Sequence, residues 1–366
     1  MNEIGIWTAR TYSLIKTGQS NMQNKQSSWL IHRYETDNVG DLLIGRAHKA
    51  ILLDRGYDVQ QFEYTGTKIG EKISFPTRVL WRISPNLVYF FKVLKNLRKA
   101  FLHRPDLITV GGGQLLLLRR TFIPSLLGWY IISILVGSKF VLFSVGTEET
   151  SNKKRKLYQR ILNHVVNKAD HVIVRDFETR TLLVNAGGQR KILTSPDCVY
   201  YLARKSEADN QEQKTGVLIS LAHTDIVKEY AKFESLSHYF DYVSDLVMKT
   251  VSEGERVSII STTIHDYNEQ DLVKYELEKR LKISIWTQDK FEDLDGFLER
   301  VSCYRAMISS RMHALIIAEI KGLSLRPVPV SNKLRSYKNT LMNRDAMFAH
   351  EEVCSLADYV YGLGKQ

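Results

Sequence analysis

The 366-residue chain has only three cysteines, Cys198, Cys303 and Cys354, far apart and odd in number. That excludes a disulfide framework and a zinc-ligand spacing, and it points to a reducing, cytoplasmic setting. The start, MNEIGIWTARTYSLIK, has no charged lead followed by an unbroken apolar core, so it does not read as a secretory signal. Unbroken apolar runs are lacking too. The most membrane-like stretch, FIPSLLGWYIISILVGSKFVLFSV (122–145), is interrupted by Pro124, Gly128, Gly137 and Lys139 and divides into a buried helix and a following strand. There is no short-period repeat or low-complexity tract, and the glycine run VGGGQLL (110–116) matches neither GxGxxG nor GxxxxGKS. Neither a dinucleotide nor a P-loop nucleotide is indicated.

What is present is a globular composition, 44% hydrophobic and 25% charged, at a length that suits about two domains. The net charge of +11 implies attraction to something anionic: nucleic acid, a membrane face, or a phosphorylated or polyanionic substrate. The basic clusters Lys92, Lys95, Arg98, Lys99 and Lys153, Lys154, Arg155, Lys156 lack the aromatic or glycine interleaving of a nucleic-acid-binding segment. They read as solvated helix faces, with a membrane-facing patch as the alternative, and no nucleic-acid partner is expected.

Residues 1–27 are polar and aperiodic, an N-terminal arm. Beyond them short β-rich runs recur, each ending in glycine, charge or small polar residues and most leading into a helical pattern: WLIHRYE into TDNVGD, LITV into GGGQ, KFVLFSV into GTEE, HVIVR into DFET. After the polar stretch 203–215 the rhythm restarts with GVLISL into AHTD, RVSIIST into TIHD, RAMISS into RMHA and LRPVPV into SNKL. Strands alternating with helices imply parallel βαβ units, and the central break implies two sheets. The expected fold is therefore α/β, with Rossmann-like domains at 28–205 and 213–345 facing a cleft. A C-terminal helix over 346–366, with Val353, Leu356, Tyr359 and Val360 on one face, packs back across them. In such sheets ligands gather at the carboxyl ends of the strands, where helix N-termini present free N–H groups.

The candidate chemistry lies at those ends. In TDNVGD, Asn38 and Gly40 favour a tight strand-to-helix turn, and Asp41 is either an N-cap or first-turn acid or a base facing the cleft. Gly112, Gly113 and Gln114 form either a tight turn or a loop whose backbone approaches an anion or a sugar. Arg175 emerges from HVIV straight into a helix start, placed to reach a carboxylate or phosphate, or else to pair with Asp176. Asp197, after a proline, reads as a turn or hinge near the domain boundary. In ISSRMHALIIAE (308–319), Arg311 and His313 share one ligand only if the turn is not yet helical, and Ser309 and Ser310 permit that. A His satisfied by a backbone carbonyl beside a surface Arg is the plainer alternative. No metal site is expected.

Taken together, DNVGD (37–41), GGGQ (111–114), SVGT (144–147), VRD (174–176), SPD (195–197) and SSRMHALIIA (309–318), in this order, resemble the polysaccharide pyruvyl transferase family over about residues 29–345. The resemblance implies a two-Rossmann, GT-B-like glycosyltransferase architecture and transfer of the enolpyruvyl-derived group of phosphoenolpyruvate to a sugar as a ketal, with release of phosphate. No cofactor or metal is implied beyond that donor. Arg175, Arg311, Met312 and His313 would hold the donor, with His313 as proton donor; Asp41 is a candidate base, and Asn38, Gly112, Gly113 and Gln114 are acceptor or loop contacts. The implied partners are phosphoenolpyruvate and a sugar acceptor, lipid-linked in one version that brings the basic surface to an anionic membrane's inner face. Two other functions fit the sequence. A nucleotide-sugar glycosyltransferase would need an acid for ribose, with Glu269 and Glu319 as candidates, and a non-catalytic protein could hold an acidic polysaccharide by charge.

Overall fold

The structure, a computed structural model, describes residues 25–66, 85–119, 121–147, 156–188, 191–203, 214–230, 233–288, 293–330, 334, 337 and 345–362. Most of the N-terminal arm and the cluster Lys153–Arg155 lie outside the described residues. The first domain runs β1 (Ser27–His32), α1 (Val39–Asp54), β2 (Asp58–Glu63), α2 (Pro85–Leu94), α3 (Leu97–His103), β3 (Leu107–Gly113), α4 (Phe122–Val136) and β4 (Lys139–Val145). It continues with α5 (Lys156–Lys168), β5 (His171–Val174), α6 (Phe177–Asn185), β6 (Ile192–Thr194) and a 3-10 helix, Cys198–Leu202. The second domain follows as β7 (Val217–Ser220), α7 (Thr224–Tyr230), α8 (Leu236–Thr250), β8 (Val257–Ile259), α9 (Ile264–Asn268) and α10 (Gln270–Leu281). It ends with β9 (Trp286–Thr287), α11 (Leu294–Ser302), β10 (Ala306–Ser309), α12 (Met312–Ile320) and β11 (Ser324–Pro327), and α13 (Ala346–Tyr361) is the last of the described elements.

All pairings are parallel, in the orders β2-β1-β3-β4-β5-β6 and β11-β10-β7-β8-β9. Parallel strands need covered faces, and the inner strands show why: β3 and β7 are buried at every position. Alternate residues of each strand enter different cores. Trp29, Ile31, Val110 and Leu142 pack on one face of the first sheet, whereas Leu30, Val141, Phe143 and Ile173 pack on the other. The latter core continues through the 3-10 helix and α13 into the second domain, joining Val217, Met307 and Leu315. Each such buried aliphatic side chain contributes about 1.5–3 kcal/mol, so this shared core ties the two sheets together.

The apolar stretch 122–145 divides at Gly137, whose positive φ of 74° ends α4 before β4 begins. Among the described residues no helix is long and apolar enough to cross a membrane.

Helix α13 lies on the first domain. Tyr361 Oη bonds His48 Nε2 (2.8 Å) and Thr109 Oγ1 (2.8 Å), and Arg55 reaches Cys354 O (3.0 Å) and Asp358 (2.7 Å). Its buried face matches the expected one in part: Val353 is buried, and Leu356 and Val360 pack partly buried against the core. Ala349, Val353, Ala357 and Tyr361 are buried, while Tyr359 is exposed, because the small alanines let α13 sit close against α1 and the 3-10 helix.

Candidate active site

Four helix starts, those of α1, α6, the 3-10 helix and α12, meet at the carboxyl ends of the two sheets. Asn38 caps α1, its Oδ1 accepting from Gly40 N (2.9 Å). Asp41 is therefore not the cap; it sits in the first turn, with Arg33 Nη1 3.3 Å from its Oδ2. Asp176 caps α6 by accepting from Thr179 N, and Asp197 caps the 3-10 helix by accepting from Val199 N (3.1 Å). The α1 start is latched to the other domain, since Val39 N donates to Thr262 O (3.0 Å) and Ile264 N donates to Asp37 Oδ2 (2.7 Å).

His313, the second residue of α12, spans the domain boundary. Its Nε2 lies 3.3 Å from Asp197 Oδ2, and its Nδ1 edge packs on Gly40 so closely that a Cβ at position 40 would overlap the ring. Asp197 Oδ2 is also 3.6 Å from Arg175 Nη1. Burial opposes ionisation of Asp197, but His313, Arg175 and the Val199 N–H overcome it and hold the carboxyl well below the usual carboxylate range. A full negative charge thus faces the imidazole. Arg175 is 4% exposed, and its Nε and Nη1 have no hydrogen-bond partner, only carboxylates at ion-pair distance. A buried guanidinium with uncommitted N–H groups on a cavity wall is a ready anion site. Its space comes from Gly146, where a Cβ would overlap the guanidinium. Ser144, at φ 57° in an irregular stretch of the β4–β5 pairing, accepts from Cys198 N (2.9 Å) and so fixes the 3-10 helix that carries Asp197.

Arg311 is the N-cap residue of α12, extended at φ −109° and ψ 117°, so the turn is not yet helical there. Its Nε and Nη2 form a two-pronged pair with Asp266, and Nη2 also lies 3.3 Å from His223 Nδ1. Asp266 is buried and further accepts from Thr262 Oγ1 (3.0 Å) and His223 N (3.1 Å). Arg311 therefore faces the cavity already oriented, with Nη1 outside the Asp266 pair. Neither Asp197 nor Asp266 stands out by spacing; each was visible only as the polar end of a strand-end cluster, SPD or TIHD.

These groups open on one cavity of about 660 Å³ between the domains. Asn38, Asp41, Gly113, Gln114, Arg175, Arg311, Met312 and His313 all line it, with Arg33, Tyr89, Lys92 and Arg119 along the first-domain wall. Gly112 does not. Its φ is 67° and a Cβ there would overlap Ile44 of α1, so the position serves the turn and the packing of α1 instead of the cavity wall. Arg120, beside Arg119, lies outside the described residues. Glu319 is held by the hydroxyls of Tyr200 and Tyr337, and Glu269 by Thr224 N (2.6 Å) and Oγ1 (3.2 Å); neither lines the cavity. Among the described residues no cluster of three His, Cys, Asp or Glu side chains is grouped to hold a metal ion.

No curated protein matches this chain. Among solved structures, the UDP-GlcNAc 2-epimerase from Methanocaldococcus jannaschii shares 12% identity over 92% of this chain and 99% of its own, at a TM-score of 0.54. The S. aureus MnaA–UDP co-structure shares 10% identity over 93% of this chain and 98% of its own, at 0.52. Such likeness is one of fold: two Rossmann-like domains in the GT-B-like arrangement. The family model described as polysaccharide pyruvyl transferase matches residues 38–328, from the Asn38 cap to just past β11, and so takes in Arg175, Asp197, Asp266, Arg311 and His313; this chain belongs to that family.

Proposed function

We propose that this chain is a cytoplasmic transferase that moves the enolpyruvyl-derived group of phosphoenolpyruvate onto a sugar of a surface polysaccharide or its precursor, forming a pyruvate ketal and releasing phosphate. The observation that carries the reading is the union, in one cavity, of an Asp197-backed His313 with Arg175 and Arg311 at the start of α12. Phosphoenolpyruvate is a stable enol ester until its methylene carbon is protonated. His313 donates that proton, creating an oxocarbenium-like centre at C2. Arg175, Arg311 and the α12 N-terminus offset the donor's phosphate and carboxylate charge.

A sugar hydroxyl then attacks C2, losing its proton to a base for which Asp41, in the first turn of α1 on the same cavity, is the candidate. Phosphate leaves with the C2–O bonding pair, and a second hydroxyl adds at C2 and loses its proton to close the ketal. The net exchange is one phosphoenolpyruvate and one diol for one ketal and one phosphate.

The test is phosphate release from phosphoenolpyruvate across a panel of sugar acceptors. Wild type should release phosphate only with an acceptor present, and His313→Gln should lower the rate by about 10²–10⁴-fold, the usual span for a general acid. A nucleotide-sugar glycosyltransferase is the competing reading, weakened by the engagement of Glu269 and Glu319 away from the cavity. Thermal stabilisation by nucleotide sugars and none by phosphoenolpyruvate would reverse the order of the two. Binding of an acidic polysaccharide unchanged in His313→Ala, with no phosphate release by wild type, would favour a non-catalytic role.

A further inference from the structure

One surface is not explained by the cavity chemistry. Residues 85–105, PNLVYFFKVLKNLRKAFLHRP, carry five Lys or Arg and no acidic residue. They fold as α2 and α3, both packed on α4. Phe91, Phe101 and Leu102 stand 46%, 48% and 73% exposed, and Ile134 and Leu135 at the end of α4 are exposed as well. Lys95, Arg98, His103 and Arg104 are exposed on the same two-helix layer. Large apolar side chains left in water cost free energy that a monomeric protein ordinarily avoids when they cluster. Exposed cations on the same two helices make a charged partner with an apolar interior the complement.

The nearest acid in sequence, Asp106, lies exposed just beyond α3, its Oδ2 accepting from Ser27 N (2.8 Å).

The layer also adjoins the cavity. Tyr89 and Lys92 of α2 line it, whereas Phe91 and Lys95 leave the same helix on another side. Only the thickness of one helix, roughly 10–12 Å, separates the outer surface from the cavity wall.

We propose that α2 and α3 dock this protein on an anionic phospholipid bilayer. Phe91, Phe101 and Leu102 enter the interface, and Lys95, Arg98 and Arg104 meet the lipid phosphates. Docked this way, the cavity lies against the membrane, so the sugar acceptor is one carried on a membrane lipid; this last step rests on the transferase reading above. Scattered surface charge alone would explain weak binding to any polyanion, but not the exposed phenylalanines and leucine on the same helices.

The experiment is co-sedimentation with vesicles of equal parts phosphatidylglycerol and phosphatidylcholine, against vesicles of phosphatidylcholine alone. Wild type should bind the anionic vesicles at least tenfold better. The pair Lys95→Glu with Arg98→Glu, and separately the pair Phe101→Ser with Leu102→Ser, should each lower that binding by about tenfold or more. Both pairs should release phosphate at the wild-type rate with a water-soluble sugar acceptor, since none of the four residues lines the cavity. Circular dichroism and melting temperature check the fold, and Leu102→Asn alone repeats the apolar test if the serine pair does not fold.

The proposal is overturned if wild type does not prefer anionic vesicles. It is also overturned if only the charge pair matters, which would reduce the effect to the +11 net charge, or if the apolar pair abolishes a self-association seen by sedimentation velocity, which would make the face a contact between copies. Vesicle binding requires no catalysis. If no acceptor supports phosphate release while the vesicle results hold, the transferase reading falls and the docking face stands.

Discussion

Gly40 shows how a residue with no side chain can decide the chemistry of its neighbour. It sits in the first turn of α1 with an ordinary helical backbone, so its lack of a Cβ serves the approach of His313 and not the turn itself. Alanine is the better helix former by up to about 1 kcal/mol, so Gly40→Ala separates the two roles. The melting temperature should hold within a few degrees while phosphate release falls by about 10²-fold, as the imidazole is displaced from Asp197. Unchanged turnover in a folded Gly40→Ala protein would remove His313 from the reacting position. The same logic explains which site residues the sequence made legible. Arg311, His313 and Arg175 are basic residues at strand ends, and that pattern is visible in one dimension. Asp197 and Asp266 are acids that hold those residues from 116 and 45 residues away, and nothing local distinguishes them from the capping acids at other helix starts.

Helix α1 is the element on which the first domain turns. Beyond its capped start it carries His48, buried against Gly111, and makes room at Gly45 for His32 of β1. Burial, the larger cause in each case, pushes His32 down to about 4, partly offset by its bond to Gln61, and His48 down to about 3. Both are therefore neutral in the folded protein, whereas in the unfolded chain they take up protons below about 6.5. Their contribution is fully present above pH 6.5 and is lost as pH falls toward 4 and 3. At pH 5 each costs about 2 kcal/mol relative to pH 7, from 1.4 kcal/mol per pH unit over one and a half units. Glu63 and Glu319, whose carboxyls burial pushes up, oppose part of this loss. Urea unfolding at pH 7 and pH 5 checks the sign, and a His48→Gln protein should show a shallower pH dependence. The strands that pattern reading did not find, β2, β6 and β9, are all sheet edges. Edge strands carry polar residues on their open side, as DVQQFE does, or are too short to show a period, whereas the inner strands announce themselves by continuous burial.

At the scale of the two domains, the site exists only when they are together, because His313 comes from one sheet and Asp197 with Gly40 from the other. The latch formed by Asp37 with Ile264 N and Val39 N with Thr262 O holds that arrangement at the cavity's rim. Asp37→Ala removes one exposed charged acceptor worth about 1 kcal/mol. It should lower kcat/KM for phosphate release roughly fivefold without loss of fold, and unaltered kinetics would show that the shared core alone sets the domain angle. From its order of residues alone the chain determined that it is α/β, that it has two parallel sheets, and that strand ends carry the chemistry, because periodicity, turn residues and helix starts are all local. Which acid grips which cation, which glycine yields space to His313, and which face of α13 is buried were decided only by the tertiary structure. Those facts depend on the meeting of two sheets that are sequential in the chain but opposed in space.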